Sequence, residues 1–134
     1  MTKIACTLLV DDDETANYLN ESLFRRLDAT EQLLVARNGL EALTLINRNC
    51  PGRDCPTLIL LDINMPVMSG FEFLEAYSQL ELGQRQSTVI IMLSTSQNPR
   101  DMEKLRQAGI AGFINKPLTK KALEEILAEH FEQD

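Results

Sequence analysis

The sequence predicts an α/β domain whose parallel sheet is covered by helices on both faces. Strand-like and helix-like segments alternate five times along 134 residues, the pattern of repeated strand–helix crossovers. The strand-like runs Ile4 to Val10, Thr57 to Leu61 and Thr88 to Leu93 are apolar but for one threonine each. Strands buried on both faces lose the in–out alternation of half-exposed strands. No linker, repeat or second composition regime interrupts the chain, so residues 1–134 read as one domain, long enough for a real hydrophobic core.

Each element has its own justification. Ile4 to Val10 is an apolar run with β-branched residues, and from about Asp13 to Leu27 the apolar residues Ala16, Leu19, Leu23 and Leu27 recur at helical spacing. Asp13 stands where that helix must begin and is read as its cap. Leu33 to Ala36 reads as a short second strand. Asn38 caps a helix running to about Asn49, with Glu41 at the third helical position. Asn49 to Pro56 holds two prolines and a glycine and reads as a loop. After the third strand, Ser69-Gly70-Phe71-Glu72 is a capping box, opening a helix with Phe73, Leu74 and Tyr77 inward. The fourth strand ends at Ser94. Asn98-Pro99 then supplies a cap and a first-turn proline for a helix that Gly109 can end. Ala111 to Asn115 is the fifth strand. Thr119 caps a last helix with Leu123, Ile126, Leu127 and Phe131 on one face.

Composition narrows the function. A net charge of −7 argues against nucleic acid or an anionic membrane as the main partner. No apolar stretch approaches the ~18 residues that span a bilayer, and the N-terminus lacks a signal-peptide layout. The cytoplasm is the expected compartment. Cys6, Cys50 and Cys55 read as reduced thiols. The Cys50–Cys55 spacing has no second metal-binding pair to join, so a plain loop is preferred to structural zinc.

Open α/β sheets bind ligands at the carboxyl ends of their strands. There the first strand delivers Asp11, Asp12, Asp13 and Glu14, the third Asp62, the fourth Ser94, Thr95 and Ser96, and the fifth Asn115 and Lys116. Carboxylates within ~5 Å of one another disfavour each other's ionisation, and a hard divalent cation relieves this. Oxygen ligands of this kind suit Mg2+. One carboxylate is then free to act as a nucleophile toward phosphorus. Mg2+, Lys116 and the Ser94 hydroxyl would each take one of the three equatorial oxygens of a transferring phosphoryl group.

The segments Leu8-Leu9-Val10-Asp11-Asp12-Asp13, Leu60-Leu61-Asp62-Ile63-Asn64-Met65-Pro66-Val67-Met68-Ser69-Gly70 and Asn115-Lys116-Pro117 resemble those of two-component response-regulator receiver domains. The resemblance covers essentially the whole chain. It implies a doubly wound, CheY-like five-stranded sheet in the order 2-1-3-4-5 with five helices. It implies that Asp62 is the phosphoacceptor, that Asp12 ligates Mg2+ directly and Asp11 largely through water, and that the backbone carbonyl of Asn64 is the third protein ligand. Lys116 matches the family's lysine, Ser94 its switch hydroxyl and Phe113 its switch aromatic. The Lys116–Pro117 bond would be cis. The implied phosphodonor is a histidine kinase or a histidine phosphotransfer protein. Phosphorylation would reshape the face made by the fourth helix and the fifth strand. The implied protein is not a conventional turnover enzyme and is a monomer or weak dimer. Thr95 departs from the small residue common after the switch hydroxyl, and the loops at Asn49 to Pro56 and Glu81 to Ser87 are long for the family.

Three rivals are weaker. A haloacid-dehalogenase-type phosphatase needs a second acid two residues past its nucleophile, where this chain has Asn64. A nucleotide-binding module needs a Gly-rich loop of backbone N–H groups after the first strand, and this chain offers four acids there. A receiver-fold binding module that works without phosphorylation stands as the alternative. If residues 1–134 are the whole product, output is expected through protein contact, with a downstream target, or by passing the phosphate onward; if they are one domain of a longer chain, an effector domain is the alternative.

Overall fold

The computed structural model describes residues 4–49, 58–62, 68–79, 88–94, 100, 103, 107 and 110–131. Its sheet has five parallel strands, β1 (Ile4–Val10), β2 (Thr30–Ala36), β3 (Leu58–Leu61), β4 (Val89–Ser94) and β5 (Gly112–Asn115), in the order β2-β1-β3-β4-β5. The helices are α1 (Glu14–Leu27), α2 (Gly39–Asn49), α3 (Gly70–Ser78) and a C-terminal helix, Lys120–Ile126, which continues as a π-helical turn over Leu127–Phe131. Residues 100, 103 and 107 are helical, within the span expected for a helix from Asn98 to Gly109; the rest of that span lies outside the described residues. The loops expected at Asn49 to Pro56 and Glu81 to Ser87 also fall outside the described residues, save for Asn49, as does Thr57, the expected start of the third strand.

Strand alternation splits the core in two. Leu8, Val10, Ile59, Leu61, Ile90 and Met92 face α2 and α3, where they meet Ala42, Ile46, Phe73, Leu74 and Tyr77. Their neighbours Leu9, Leu58, Leu60, Ile91 and Leu93 face the other way, against Leu23 and Phe24 of α1 and Leu123, Ile126 and Leu127 of the C-terminal segment. A run of consecutive apolar residues such as Leu8 to Val10 thus feeds both faces at once.

The described helix starts agree with the sequence; the cap expected at Asn98-Pro99 lies outside the described residues. Asp13 caps α1, its side chain accepting from the Thr15 N–H. Ser69 and Glu72 form a reciprocal capping box on α3. Thr119 accepts from the Ala122 N–H. Asn38 accepts from the Glu41 N–H, while Glu41 reaches back one residue further, to the Arg37 N–H.

Three expectations need correction. β2 begins at Thr30, three residues before the predicted Leu33, because Thr30, Glu31 and Gln32 lie on an edge strand with open sides and carry no apolar signal. β5 begins at Gly112 rather than Ala111; the Ala111 N–H instead donates to the Ile90 carbonyl. In α1 the inward residues are Asn17, Asn20, Leu23 and Phe24. Leu19, expected inside, is 56% exposed and lines an open groove between α1 and the segment Lys116 to Lys120.

Candidate functional site

Register brings the acids together. β1 and β3 are neighbours with Val10 opposite Leu61, so the next residue on each strand, Asp11 and Asp62, emerges side by side with the other. Their backbones extend the ladders: the Asp11 N–H donates to the Ala36 carbonyl at 3.1 Å and the Asp62 N–H to the Val10 carbonyl at 3.0 Å. Both carboxylates are buried, at 3% and 7% exposure, whereas Asp12 is exposed. The Asp13 N–H donates to Asp11 Oδ1 at 3.0 Å.

Lys116, just past β5, reaches back across the carboxyl edge of the sheet. Its Nζ lies 2.6 Å from Asp11 Oδ2 and 3.5 Å from Asp62 Oδ2. Burial works to lower the lysine pKa. The hydrogen bond to Asp11, the charges of Asp62 and Asp11 and the weaker hydrogen bond to Asp62 outweigh it, so the pKa is raised. The Lys116–Pro117 peptide is cis.

Asp11, Asp12 and Asp62 each place a carboxylate oxygen within 4.8 Å of the others. Three carboxylates against one ammonium leave this pocket with excess negative charge, and its donors are all oxygen. Those are the requirements of a hard divalent cation, so the residues present fit Mg2+.

The remaining expected site residues are placed unevenly. Ser94 ends β4 in register with Asn115, which puts its backbone at the same sheet edge; its side chain lies outside the described residues. Phe113 pairs with Met92 and packs, partly buried, against the core on the α2–α3 face. Asn64 and Thr95 lie outside the described residues. One neighbour is not apparent from the sequence. Asn17, buried on α1, donates through Nδ2 to the Asp11 carbonyl at 2.8 Å. The available signal is a polar residue on the inward stripe of a helix.

Residues 7–128 match the family model for the response regulator receiver domain. The chain belongs to that family. This receiver domain is 29% identical over 123 residues to the chemotaxis protein CheY of Halobacterium salinarum, covering 91% of this chain and 92% of that protein. It is 31% identical to hybrid signal transduction histidine kinase B of Dictyostelium discoideum, across 96% of this chain but only 7% of the kinase. The receiver domain therefore spans a small fraction of some relatives and nearly all of others. Among solved structures, the receiver domain of a Pseudomonas aeruginosa sensor histidine kinase aligns with a TM-score of 0.77 and 25% identity, over 94% of this chain and 96% of that one. That protein carries a magnesium ion coordinated in its active site cleft. Among the described residues, no helix is long and apolar enough to cross a membrane.

Proposed function

We propose that Asp62 is the phosphoacceptor of a two-component phosphorelay and that residues 1–134 act as a single receiver unit. The reading rests on one observation above all: Lys116 Nζ stands between Asp11 Oδ2 and Asp62 Oδ2 at the carboxyl edge of a receiver-family sheet. A carboxylate oxygen of Asp62 attacks phosphorus. The bond from phosphorus to the donor's histidine nitrogen breaks with its electron pair leaving on the imidazole, and an acyl phosphate forms. No oxidation state changes. The Lys116 ammonium takes up charge on one equatorial oxygen and the Ser94 hydroxyl donates to another.

Asp12, Asp62 and the Asn64 carbonyl would hold Mg2+, with Asp11 acting largely through water; the ion supplies neutralisation of phosphoryl charge. Phosphorylation draws Ser94 inward, Phe113 moves with it, and the face that the resemblance assigns to the fourth helix and the fifth strand changes its fit for a downstream target. The donor is a histidine kinase or histidine phosphotransfer protein in the cytoplasm, and the receiver is a monomer or weak dimer. It promotes its own phosphorylation without turning over like a conventional enzyme.

Intact-protein mass after incubation with acetyl phosphate tests this. A Mg2+-dependent gain of one phosphoryl group, lost in EDTA and absent in Asp62→Asn, is the expected result. Full acceptance by Asp62→Asn would sink the assignment. No gain from either acetyl phosphate or a phosphorylated histidine phosphotransfer domain would favour a binding module that works without phosphorylation.

A further inference from the structure

We propose that Asn17 is a positioning residue for the acid pair Asp11–Asp12, acting through the peptide that joins them. This rests on the assignment of Mg2+ to the acidic pocket. The β1–β2 ladder ends where the Asp11 N–H meets the Ala36 carbonyl. The Asp11 carbonyl lies beyond that last rung, and its donor is Asn17 Nδ2 at 2.8 Å. Asn17 is itself fixed in the first turn of α1, where its N–H donates to the Asp13 carbonyl at 3.1 Å. One side chain thus ties the acidic turn to the helix next to it.

The geometry gives this tie a consequence. The Asp11 carbonyl belongs to the peptide plane whose nitrogen is that of Asp12. Holding the plane fixes the N–Cα bond about which Asp12 turns, so that φ is the one backbone rotation left to set where its side chain leaves the chain. Asp12 is exposed and has little packing to orient it, so the peptide plane is its main constraint. Asp11 has a second restraint, the Asp13 N–H on its Oδ1.

The other end of the amide shows what Asn17 is not for. Its Oδ1 is buried and has no hydrogen-bond partner among the described residues. A buried, unpartnered acceptor works against folding. A position selected for packing alone would carry an apolar side chain of this size, as Leu23 does further along the same face. An asparagine here breaks the local rule for helix interiors, and such breaks collect at functional sites. Groups that orient metal ligands from behind typically change metal affinity by about 10–100-fold when removed.

The test compares the parent chain with Asn17→Leu and Asn17→Ala, using calorimetric titration of the metal-free proteins with MgCl2 and melting in EDTA. The expected result is Mg2+ affinity weakened about tenfold or more in both variants, while the near-isosteric Asn17→Leu melts close to the parent. In acetyl phosphate assays the Mg2+ concentration for half-maximal rate rises by the same factor, and the rate at saturating Mg2+ falls less. Parental Mg2+ affinity in a folded variant overturns the inference. Loss of the fold in both variants also overturns it, because Asn17 would then be a structural residue. A parent chain that does not bind Mg2+ would overturn the magnesium assignment itself and this inference with it.

Discussion

Lys116 donates its shorter contact to Asp11, at 2.6 Å, and not to Asp62, at 3.5 Å. The lysine therefore stands over the same carboxylates that fit the cation and competes with it. Replacing it with methionine, which keeps the stem and deletes the charge, should act in two directions. The metal-free protein should lose about 2 kcal/mol, somewhat less than a fully buried pair would, because the Lys116 side chain keeps 22% exposure. Mg2+ affinity should rise several-fold, since Coulomb competition is removed, while phosphoryl acceptance falls at least tenfold. Melting in EDTA and in Mg2+, together with acetyl phosphate labelling, checks all three. Unchanged Mg2+ affinity would show that the ammonium and the ion do not share these oxygens.

Gly39 and Met68 meet closely enough to make a second prediction. The Gly39 N–H donates to the Met68 carbonyl at 3.4 Å. A Cβ on Gly39 would lie 2.7 Å from Met68 Cγ, 2.8 Å from its Sδ and 3.0 Å from Phe73 Cβ. Gly39→Ala gains up to about 1 kcal/mol of helix propensity, but overpacking costs about 1–3 kcal/mol. Phe73, fully buried, cannot yield, so the net effect should be destabilising by roughly 1 kcal/mol. In a Met68→Ala background the same substitution should cost less, and a double-mutant cycle measures the difference.

The legibility of the fold and the difficulty of the site have the same physical origin. Helix caps are local: Asp13, Asn38, Ser69 and Thr119 bond to N–H groups within three residues, so their spacing shows in the sequence. The central strands are legible because burial on both faces leaves them almost wholly apolar, Thr7 being the buried exception on β1. The edge strand β2 shows in the sequence only where it is apolar, and its polar start at Thr30 is held by contacts invisible to pattern, including Thr7 Oγ1 to Thr30 Oγ1 at 2.9 Å. The candidate acids can be gathered from the positions just past the carboxyl end of each strand. That Lys116 settles on Asp11 depends on two side chains far apart in sequence. Asn17 is hidden because a polar residue on a helix is ordinarily solvated, and only the end of the β1 ladder gives it a partner.

Cys6 makes a prediction about alkali. Burial pushes its thiol from 9.0 up to about 11 and leaves it 3% exposed. Cys6 should resist iodoacetamide at pH 8 in the native protein and react once the chain is unfolded, which peptide mapping can track. The sign for stability is set by the raised value. Below pH 9.0 the thiol is protonated in both states and folding is unaffected. As pH rises from 9.0 toward about 11 the unfolded chain releases the proton first, and up to about 3 kcal/mol of stability is lost. The Lys116 pair fades in the same direction, because its pKa is also raised. Cys6→Ala should flatten the decline without removing it. An equally steep decline in Cys6→Ala would mean that burial of this thiol contributes nothing.

Asp12 separates charge repulsion from cation binding. Its carboxylate stands within 4.8 Å of Asp11 and Asp62 oxygens, and Lys116 contacts those two, not Asp12. Without a cation, Asp12 therefore adds like charge to the pocket and receives little compensation. Asp12→Ala should leave the metal-free protein as stable as the parent or raise its melting temperature by a degree or two, on the order of a few tenths of a kcal/mol. The parent should gain about 2.7 kcal/mol when Mg2+ stands a hundredfold above its dissociation constant, and EDTA should reverse the gain. Asp12→Ala should lose most of that gain. The two proteins should thus cross: Asp12→Ala the more stable in EDTA, the parent the more stable in Mg2+. Parallel melting curves, with the same Mg2+ increment in both, would place the ion away from Asp12 and leave Asp11 and Asp62 to hold it alone.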